Sequence, residues 1–456
     1  MSTAESTTLL APSRRGRHWI DDWRPEDREF WESTGKAVAR RNLIFSVASE
    51  HVGFSVWSLW SVLVLFLGPE YGFNPAQKFL LTALPTLIGA VLRLPYTFAV
   101  AKFGGRNWTT ISAALLLIPT AMIAVVLEPG VEFSTLLLVS LFAGLGGGNF
   151  ASSMANINAF FPARLKGWAL GVNAGGGNLG VPVVQLAGLL VLATVGVQHP
   201  RAMVAIYIPL VVLVTALAWF TMNNLTCAHN PKGAIREVVR HRETWLISVL
   251  YIGTFGSFIG FSFAFGQVLL VQFPEMFPNP VKAAAITFVG PLLGSLIRPV
   301  GGALADRYRG SVVTFYTFIA MAAGAGIVLV ASLLHSLPLY AVGFVLLFVF
   351  SGVGNGSTYK MIPAIFHAKA QLGSAAGLPV AAADRIAVRR SGALIGLAGA
   401  VGALGGVLVN LAFRQSFLTW GSGDAAVVAF IAGYVICCAI TWTVFIRRHE
   451  ERLDGV

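Results

Sequence analysis

Residues 83–106 read ALPTLIGAVLRLPYTFAVAKFGGR and residues 288–310 read FVGPLLGSLIRPVGGALADRYRG, so two long apolar stretches each carry one arginine. A shift of 205 residues superimposes Arg93 on Arg298, Lys102 on Arg307, Phe103 on Tyr308 and Gly105 on Gly310. An arginine within a membrane span is costly and usually faces an interior cavity where it has a function. The alternative for either arginine alone is a side chain that reaches the membrane surface or anchors a loop. Matching mid-helix positions in two halves favour a twofold-repeated transporter with a cationic central site.

The composition is that of a membrane protein. The mean hydropathy is +0.73, and 11% of the 456 residues are charged, whereas a soluble protein averages about 25%. The apolar stretches are each near the ~20 residues that span ~30 Å of hydrocarbon. Twelve spans are predicted, at 43–68, 78–101, 108–127, 135–158, 167–194, 201–222, 244–270, 284–304, 312–335, 338–366, 391–413 and 425–446.

The basic residues predict the orientation. With the N-terminus inside, 25 of the 32 Lys and Arg residues fall on the inner side, four on the outer side and three within the spans. Cytoplasmic loops of membrane proteins carry such an excess. We therefore expect both termini in the cytoplasm and a multi-pass protein of the inner (cytoplasmic) membrane. The net charge of +12 then reflects orientation and not the alternative, nucleic-acid binding.

Polar stretches divide the chain. Residues 1–42 lack the short apolar run of a secretory signal and are expected to form a cytoplasmic extension. Residues 223–243 (NNLTCAHNPKGAIREVVRHRE) predict a cytoplasmic linker between six-helix bundles at 43–222 and 244–446, and 447–456 a cytoplasmic tail. A second polar loop is expected at 367–390. The predicted fold is an all-α membrane protein with twelve transmembrane helices in two pseudo-symmetric six-helix bundles.

Glycine-rich segments repeat as well. The pairs are GLGGGNFASSM (144–154) with GVGNGSTYKMI (352–362), and GVNAGGGNLG (171–180) with GLAGAVGALG (396–405). The second pair aligns Gly171 with Gly396, Gly177 with Gly402 and Gly180 with Gly405. Close helix packing explains several of these glycines, and we expect Gly177 and Gly402 at contacts that slide during transport. Packing does not explain Asn173 and Asn178, whose amide N–H groups can donate to an anion.

These segments resemble the nitrate/nitrite porter (NarK-type) family of the major facilitator superfamily. The resemblance covers the chain from about residue 40. It rests on RLPYTFAVAKFGGR (93–106), NFASSMANINAFFP (149–162), ALGVNAGGGNLGV (169–181), YIGTFGSFIGFSFAF (251–265) and GSTYKMIPAIF (356–366). The glycine-rich stretches at 171–180 and 396–405 look like the paired nitrate signature motifs of that family.

The resemblance implies a set of site residues. Arg93 and Arg298 would grip the anion. Further contacts would come from Tyr251, Phe255, Phe150 and Asn178, with Phe54 as a looser match. The sequence departs from the superfamily pattern where Ala101 stands opposite Asp306, so gating-loop salt bridges are expected to differ between the halves.

The chemistry of arginine suits such an anion independently. Nitrate and nitrite are small, planar and delocalised, and a guanidinium is a planar fork of donors that can bind two oxygens at once. Aromatic faces can clamp a flat anion and exclude water. Two facing arginines repel each other, and an incoming anion relieves that repulsion, so its binding can favour approach of the two halves.

Two ionisable residues within the spans each admit two interpretations. Glu50 is a protonatable coupling group, or it is an ion-pair partner of Arg40 or Arg41, which we favour. Lys360 adds positive potential to the inner anion path, or it reaches to the cytoplasmic surface. With Glu50 in an ion pair, the site would hold two fixed cations and no acid, and it would be reluctant to reorient empty. That predicts nitrate/nitrite exchange, with proton-coupled symport as the alternative.

The sequence therefore predicts a monomeric secondary transporter of nitrate and nitrite in the lipid bilayer, working by alternating access without a cofactor. No GxxxxGK[ST] loop is present, so direct ATP drive is not expected, and no catalytic or metal-binding constellation is evident. One alternative is a major facilitator for another small anion. Another is a non-transporting anion sensor, against which the lack of an appended signalling domain argues.

Overall fold

The computed structural model describes residues 16–227, 232–375, 377–447 and 456, and these residues form twelve helices long and apolar enough to cross a membrane. We number them spans 1 to 12. They are Arg28–Phe66, Pro75–Phe103, Gly105–Val126, Phe133–Phe160, Ala163–Thr194, Arg201–Thr221, Arg242–Gln272, Pro280–Tyr308, Gly310–Leu333, Leu337–Ser374, Ala382–Trp420 and Asp424–Ile446. The all-α prediction with twelve spans is confirmed. The even number puts the start of span 1 and the end of span 12 on one side, which we call the termini side.

Several helices extend beyond the ends of the predicted spans. Span 1 begins at Arg28 and not near residue 43, because Asp27 caps the helix by accepting from the backbone N–H groups of Glu29 and Phe30. The polar loop expected at 367–390 is wrong: Leu337–Ala375 and Val380–Trp420 are helices that leave only a short break between them. Hydropathy marks the part of a helix inside hydrocarbon, whereas backbone hydrogen bonding continues past it into the aqueous region.

The longest contact between the two halves runs along spans 2 and 11. Phe79 stacks on Phe417 at 5.6 Å between ring centroids, and the Thr82 hydroxyl donates to the Asn410 side-chain oxygen at 2.7 Å. Further toward the termini side, Arg93 donates to the Gly399 carbonyl at 2.7 Å. Spans 2 and 11 therefore bring the two halves together from the side opposite the termini to the centre.

Other elements close the same side. The Gln185 amide of span 5 donates to the Ser262 carbonyl of span 7 at 2.7 Å, and Trp57 of span 1 packs on Phe263 at 5.4 Å. In the other half of span 5, a side chain added at Gly171 would meet nothing within 4 Å. The molecule is thus tightly packed on the side opposite the termini, where spans 1, 2 and 5 of the first half meet spans 7 and 11 of the second.

A short two-stranded sheet ties the N-terminal extension to the linker. Strand β1, Trp19–Ile20, pairs in parallel with β2, Asn224–Leu225. Gly104 lies beside β2 with a φ of +88°, and a Cβ there would be 2.3 Å from the Asn224 side-chain oxygen, so only glycine fits this turn. The extension is therefore folded against the end of span 6.

A short helix, Lys232–Val238, follows in the linker. Its Glu237 accepts from Arg389 at 2.5 Å and from Arg390 Nε at 2.8 Å, which fastens the linker to the start of the span 11 helix. The predicted domain boundaries stay predictions. Residues 1–15 of the predicted extension and 448–455 of the predicted tail lie outside the described residues.

Candidate functional site

Arg93 is fully buried in the middle of span 2. Its Nε donates to the Gly147 carbonyl of span 4 at 3.2 Å, and its Nη1 donates to the Gly399 carbonyl of span 11 at 2.7 Å. Its Nη2 is buried and has no hydrogen-bond partner. Because glycine has no side chain, the guanidinium can approach both backbone carbonyls closely. Carbonyls of both halves therefore hold this arginine of the first half.

Aromatic rings surround the Arg93 guanidinium. Its Cζ lies 4.7 Å from the Phe150 ring centroid, 5.0 Å from Phe255 and 5.5 Å from Trp57. Phe54 lies behind them, 6.1 Å from Phe150. A guanidinium is attracted to the negative faces of such rings, most strongly where water is excluded. The cage therefore fixes the cation without neutralising it.

Arg298 occupies the matching position of span 8 and is 8% exposed. Its Nη2 donates to the Tyr251 hydroxyl at 3.2 Å, while Nη1 is buried without a partner. Tyr251 stacks on Phe255 at 5.1 Å with 8° between the ring planes. Because Phe255 also contacts Arg93, the two stacked rings of span 7 connect the two arginines, and the six predicted residues Arg93, Arg298, Phe54, Phe150, Tyr251 and Phe255 form one cluster.

A π-helical turn positions the stacked pair. Span 7 is widened over Ile252–Gly256, directly after Tyr251, and such turns occur frequently at functional sites. The turn lies against span 11, where a Cβ at Gly402 would be 2.4 Å from the Tyr251 ring and one at Gly405 2.6 Å from the Gly256 Cα. The small residues of span 11 thus let the span 7 rings reach the centre.

Tyr359 belongs to the same cluster, although it is not among the site residues predicted from the sequence. Its ring centroid is 5.4 Å from the Arg298 Cζ and 5.2 Å from the Tyr251 ring. Its hydroxyl is buried without a partner. A signal was available, since Tyr359 lies in the GSTYKMI motif, and the alignment of residues 144–154 with 352–362 places it beside Phe150.

Asn178 stands at the break of span 5, between helices Ala163–Asn178 and Gly180–Thr194. It is 1% exposed, and neither its amide nitrogen nor its amide oxygen has a hydrogen-bond partner. A buried amide without a partner is costly, and each such group in a folded protein calls for an explanation. Arg93, Arg298 and Tyr359 likewise each have a buried donor without a partner.

Asn173 differs from this pattern. Its amide nitrogen donates to Glu50 Oε2 at 2.6 Å and contacts the Ser153 hydroxyl at 2.8 Å. The donor predicted to face an anion is therefore used by a neighbouring carboxylate. Ser153 donates to the same carboxylate oxygen, so Asn173, Ser153 and Glu50 form one buried polar group between spans 1, 4 and 5.

The ion pair favoured for Glu50 is wrong. Glu50 is 1% exposed, while Arg40 is exposed and Arg41 donates to the Asn223 side-chain oxygen at 2.7 Å. At 3.6 residues per turn, a residue nine positions before Glu50 lies on about the opposite helix face. Glu50 faces the protein interior, where Arg93 and Arg298 act on it electrostatically and its Oε1 has no hydrogen-bond partner.

The glycines of span 5 pack against span 1. A Cβ at Gly177 would lie 2.3 Å from Glu50 Oε1, and one at Gly180 would lie 2.2 Å from the His51 carbonyl. Gly171 meets nothing, and Gly396 has only an ordinary contact with Thr97 at 3.6 Å. The close contacts expected at Gly177 and Gly402 are present, whereas the aligned pair Gly171 and Gly396 is not tightly packed.

Lys360 forms an exposed ion pair with Asp306 at 2.8 Å, on the termini side of spans 8 and 10. The side chain therefore reaches toward the surface, and a nearby carboxylate offsets its charge. Ala101 occupies the position equivalent to Asp306 in the first half, so the expected asymmetry of salt bridges between the halves is present at this pair.

Comparisons with known proteins agree with this architecture. The family model described as Major Facilitator Superfamily matches residues 51–408. The nitrate/nitrite transporter NarU of Salmonella typhimurium is 39% identical over 96% of this chain and 98% of its own length. The protein named "Probable nitrate/nitrite antiporter NarK2" of Thermus thermophilus is 32% identical over 95% and 98%. The xylose transporter XylE of E. coli, in a partially occluded inward open conformation, superimposes with a TM-score of 0.65 at 12% identity, covering 89% of this chain and 97% of XylE.

Proposed function

The chain belongs to the nitrate/nitrite porters of the major facilitator superfamily, and we propose that it exchanges nitrate for nitrite across the cytoplasmic membrane by alternating access. Transport of these anions follows from the family, in which near full-length relatives carry that name. The mode of coupling, the orientation and the residues that bind the anion are the parts that we infer.

The observation that carries the proposal is the pair of arginines in one aromatic cluster. Arg93 Nη2 and Arg298 Nη1 are buried donors without a partner, and the Phe255 and Tyr251 rings join the two guanidinium groups. A planar anion with two or three oxygens can accept from both arginines and lie against the rings. Asn178 and Tyr359 supply further unpaired N–H and O–H groups.

The arrangement also explains how binding can drive movement. Arg93 comes from the first half and Arg298 from the second, and each is fixed by rings or carbonyls of neighbouring helices. Without an anion, the two cations repel each other in a medium of low dielectric constant. An anion between them reverses the sign of the interaction, so the two halves can close around the filled site. Access to the site then changes from one side of the membrane to the other.

The orientation is proposed from charge. The excess of 25 basic residues against four supports a cytoplasmic termini side. The packed side with Phe79, Asn410 and Gln185 then faces outward. The described conformation would then be closed to the outside.

Proton-coupled nitrate symport is the second candidate, and Glu50 favours it. Exchange was predicted with Glu50 paired to Arg40 or Arg41, and Glu50 does not form that pair. Glu50 is instead a buried carboxylate near two arginines, with one oxygen unpartnered. Ionisable groups inside a membrane protein are costly and often belong to proton relays. Exchange remains the first proposal because the two arginines oppose reorientation of an empty site and the Thermus relative is named an antiporter.

Proteoliposome uptake of labelled nitrate distinguishes the two modes. Exchange predicts that uptake requires internal nitrite or nitrate and is insensitive to an inward proton gradient. Symport predicts concentrative uptake into anion-free vesicles under that gradient, lost in Glu50→Gln. Competition by chloride, formate and sulfate tests the substrate class, and nitrate binding without any uptake would indicate the sensor.

A further inference from the structure

A cationic cavity lies on the termini side, away from the central arginines. Its volume is about 500 Å³. It lies between the end of span 2, the first turns of span 3, the end of span 6 and the N-terminal extension. The lining residues are Gly16, Arg17, His18, Trp19, Phe103, Arg106, Asn107, Thr110, Ile111 and Trp219.

Arg106 forms the inner wall of the cavity and is 7% exposed. Its Nε donates to the Trp219 carbonyl at 2.7 Å and its Nη1 donates to the Asn107 side-chain oxygen at 3.0 Å. Its Cζ lies 4.1 Å from the Trp219 ring. These partners hold the guanidinium in place but carry no negative charge, so its positive charge is not compensated by them.

The other polar lining residues add to this potential. Arg17 is exposed at the rim, and none of the lining residues is acidic. Burial lowers the pKa of His18, and the charges of Arg106, Arg17 and Arg41 lower that pKa further. Positive charges from three elements therefore converge on one imidazole, which indicates an electrostatic site suited to an anion.

The mouth of the cavity is apolar. Phe103, Ile111 and Trp219 are 40%, 41% and 48% exposed, and the adjacent Phe220 is 72% exposed at the end of span 6. Aromatic residues at the ends of membrane helices lie at the level of the lipid headgroups. A soluble anion gains nothing from such a border, whereas a lipid would place its phosphate inside and its acyl chains along these side chains.

We propose that this cavity binds the phosphate headgroup of an anionic phospholipid from the leaflet on the termini side. Arg17 and Arg106 contact the phosphate, and Ile111 and Trp219 contact the first part of the acyl chains. Because the cavity joins the N-terminal extension to the turn between spans 2 and 3, a bound lipid fastens β1 to the helix that carries Arg93. Basic pockets beside transmembrane helices bind anionic headgroups in this way.

The test uses the purified full-length chain in a neutral detergent. Phosphatidylglycerol, phosphatidylcholine and inorganic phosphate are titrated separately, with the Tm and the bound lipid by native mass spectrometry as readouts. Phosphatidylglycerol is expected to raise the Tm and to remain bound. Arg17→Gln and Arg106→Gln are each expected to weaken its binding about fivefold, since a basic residue near a membrane surface contributes about 1 kcal/mol.

Arg240→Gln is the matched control, because Arg240 is an exposed basic residue of the linker that does not line the cavity. It should leave phosphatidylglycerol binding unchanged. If Arg106→Gln does not fold, Arg17→Gln decides, since Arg17 is exposed at the rim. Equal effects of phosphatidylglycerol and phosphatidylcholine would overturn the proposal. So would protection by inorganic phosphate equal to that by the lipid, which would identify a soluble anion as the ligand.

Discussion

Two arginine nitrogens, Arg93 Nη2 and Arg298 Nη1, are the groups on which transport should depend at the scale of single residues. Replacing either arginine by lysine keeps the charge but removes the planar fork. A hydrogen bond to a charged group contributes about 1.5–3 kcal/mol, so nitrate affinity should fall roughly 10- to 100-fold. Isothermal titration measures the loss of nitrate affinity, and proteoliposome uptake measures the resulting loss of transport.

Arg201→Lys provides the control for these variants. Arg201 lies on the surface opposite the termini, in an exposed ion pair with Glu128 at 2.9 Å, and the same substitution there should leave uptake unchanged. Uptake near the native level in Arg93→Lys or Arg298→Lys would argue that the central arginines do not bind the anion.

Glu50 is the residue whose surroundings in the structure differ most from those predicted from the sequence. Its type and position were visible in the sequence, but its partners depend on which face of span 1 meets span 5, and Gly177 permits that contact. In contrast, Arg93, Arg298 and Tyr251 could be located because the repeat and the family motifs mark them directly. Tyr359 carries no charge signal of its own, so only the alignment of spans 4 and 10 marks it, and that alignment places it beside Phe150 and not on it.

Glu50→Gln tests the buried carboxylate directly. The amide keeps the size of the side chain and can still accept from Ser153 and Asn173, so folding should be preserved. Exchange of external nitrate for internal nitrite is expected to continue at within about threefold of the native rate, a change of less than 1 kcal/mol in the barrier. Complete loss of exchange, with a native Tm, would make Glu50 part of the transport cycle.

At the scale of helices, the span 1–span 5 contact should control movement. Gly177→Leu would force a side chain to within van der Waals overlap of Glu50, and overpacking of this kind costs about 1–3 kcal/mol. We expect the exchange rate to fall more than nitrate affinity, because the helices can no longer slide in contact.

Gly171→Leu is the internal control for that substitution. Gly171 lies on the same span, and a Cβ there meets nothing within 4 Å, so exchange should stay close to the native rate. Equal losses of affinity and exchange in Gly177→Leu would mean that the glycine shapes the binding site and does not serve the movement.

The linker helix gives a pH-dependent prediction. Hydrogen bonds and charges from Arg390 and Arg389 lower the pKa of Glu237. A lowered pKa in the folded state means that the ion pair stabilises the linker at neutral pH and that this contribution is lost as the pH falls through the lowered value. The pairs are partly exposed, so the contribution is about 1 kcal/mol or less.

Hydrogen–deuterium exchange of residues 232–238, corrected for the intrinsic pH dependence, measures this effect. Protection should be constant from neutral to mildly acidic pH and decrease at lower pH. In Glu237→Gln the protection should be lower at neutral pH and lose this pH dependence. An unchanged profile in the variant would show that other contacts hold the linker helix.

Helix ends illustrate what hydropathy could not predict. The number of spans and the central placement of the arginines followed from apolar length and repetition. The early start of span 1 depends on the Asp27 cap and on burial of Trp31 against Phe161. The helical character of residues near 370 and 385 depends on neighbours such as Glu243 and Glu237, which pair with Lys369 and Arg390. Such tertiary contacts leave no periodic signal in the sequence.

At the scale of the whole molecule, the structure is closed on the side opposite the termini and therefore represents one state of the proposed transport cycle. Two polar contacts and a layer of stacked rings join the halves there, and each involves span 2, 5, 7 or 11. The internal repeat implies that a related closure forms on the termini side in the other half of the cycle. Contacts on the closed side must therefore break in every turnover.

A disulfide across the closed side tests this requirement. The side-chain oxygens of Thr82 and Asn410 lie 2.7 Å apart, so the two positions face each other, and a disulfide between cysteines there would join spans 2 and 11 directly. The background would carry serine at Cys227, Cys437 and Cys438, of which Cys227 is exposed. Oxidation should stop nitrate uptake, and reduction should restore it, because the side opposite the termini can open again.

Each single-cysteine variant, Thr82→Cys or Asn410→Cys, should be insensitive to the oxidant under the same conditions. Nitrate binding to the oxidised double variant, measured in detergent, should persist, because the cross-link lies on the side opposite the termini and leaves the termini side free to open. Undiminished uptake by a fully cross-linked protein would contradict alternating access through this interface. The anion would then have to pass without separation of spans 2 and 11, which the continuous contact from Phe79 to Arg93 does not permit.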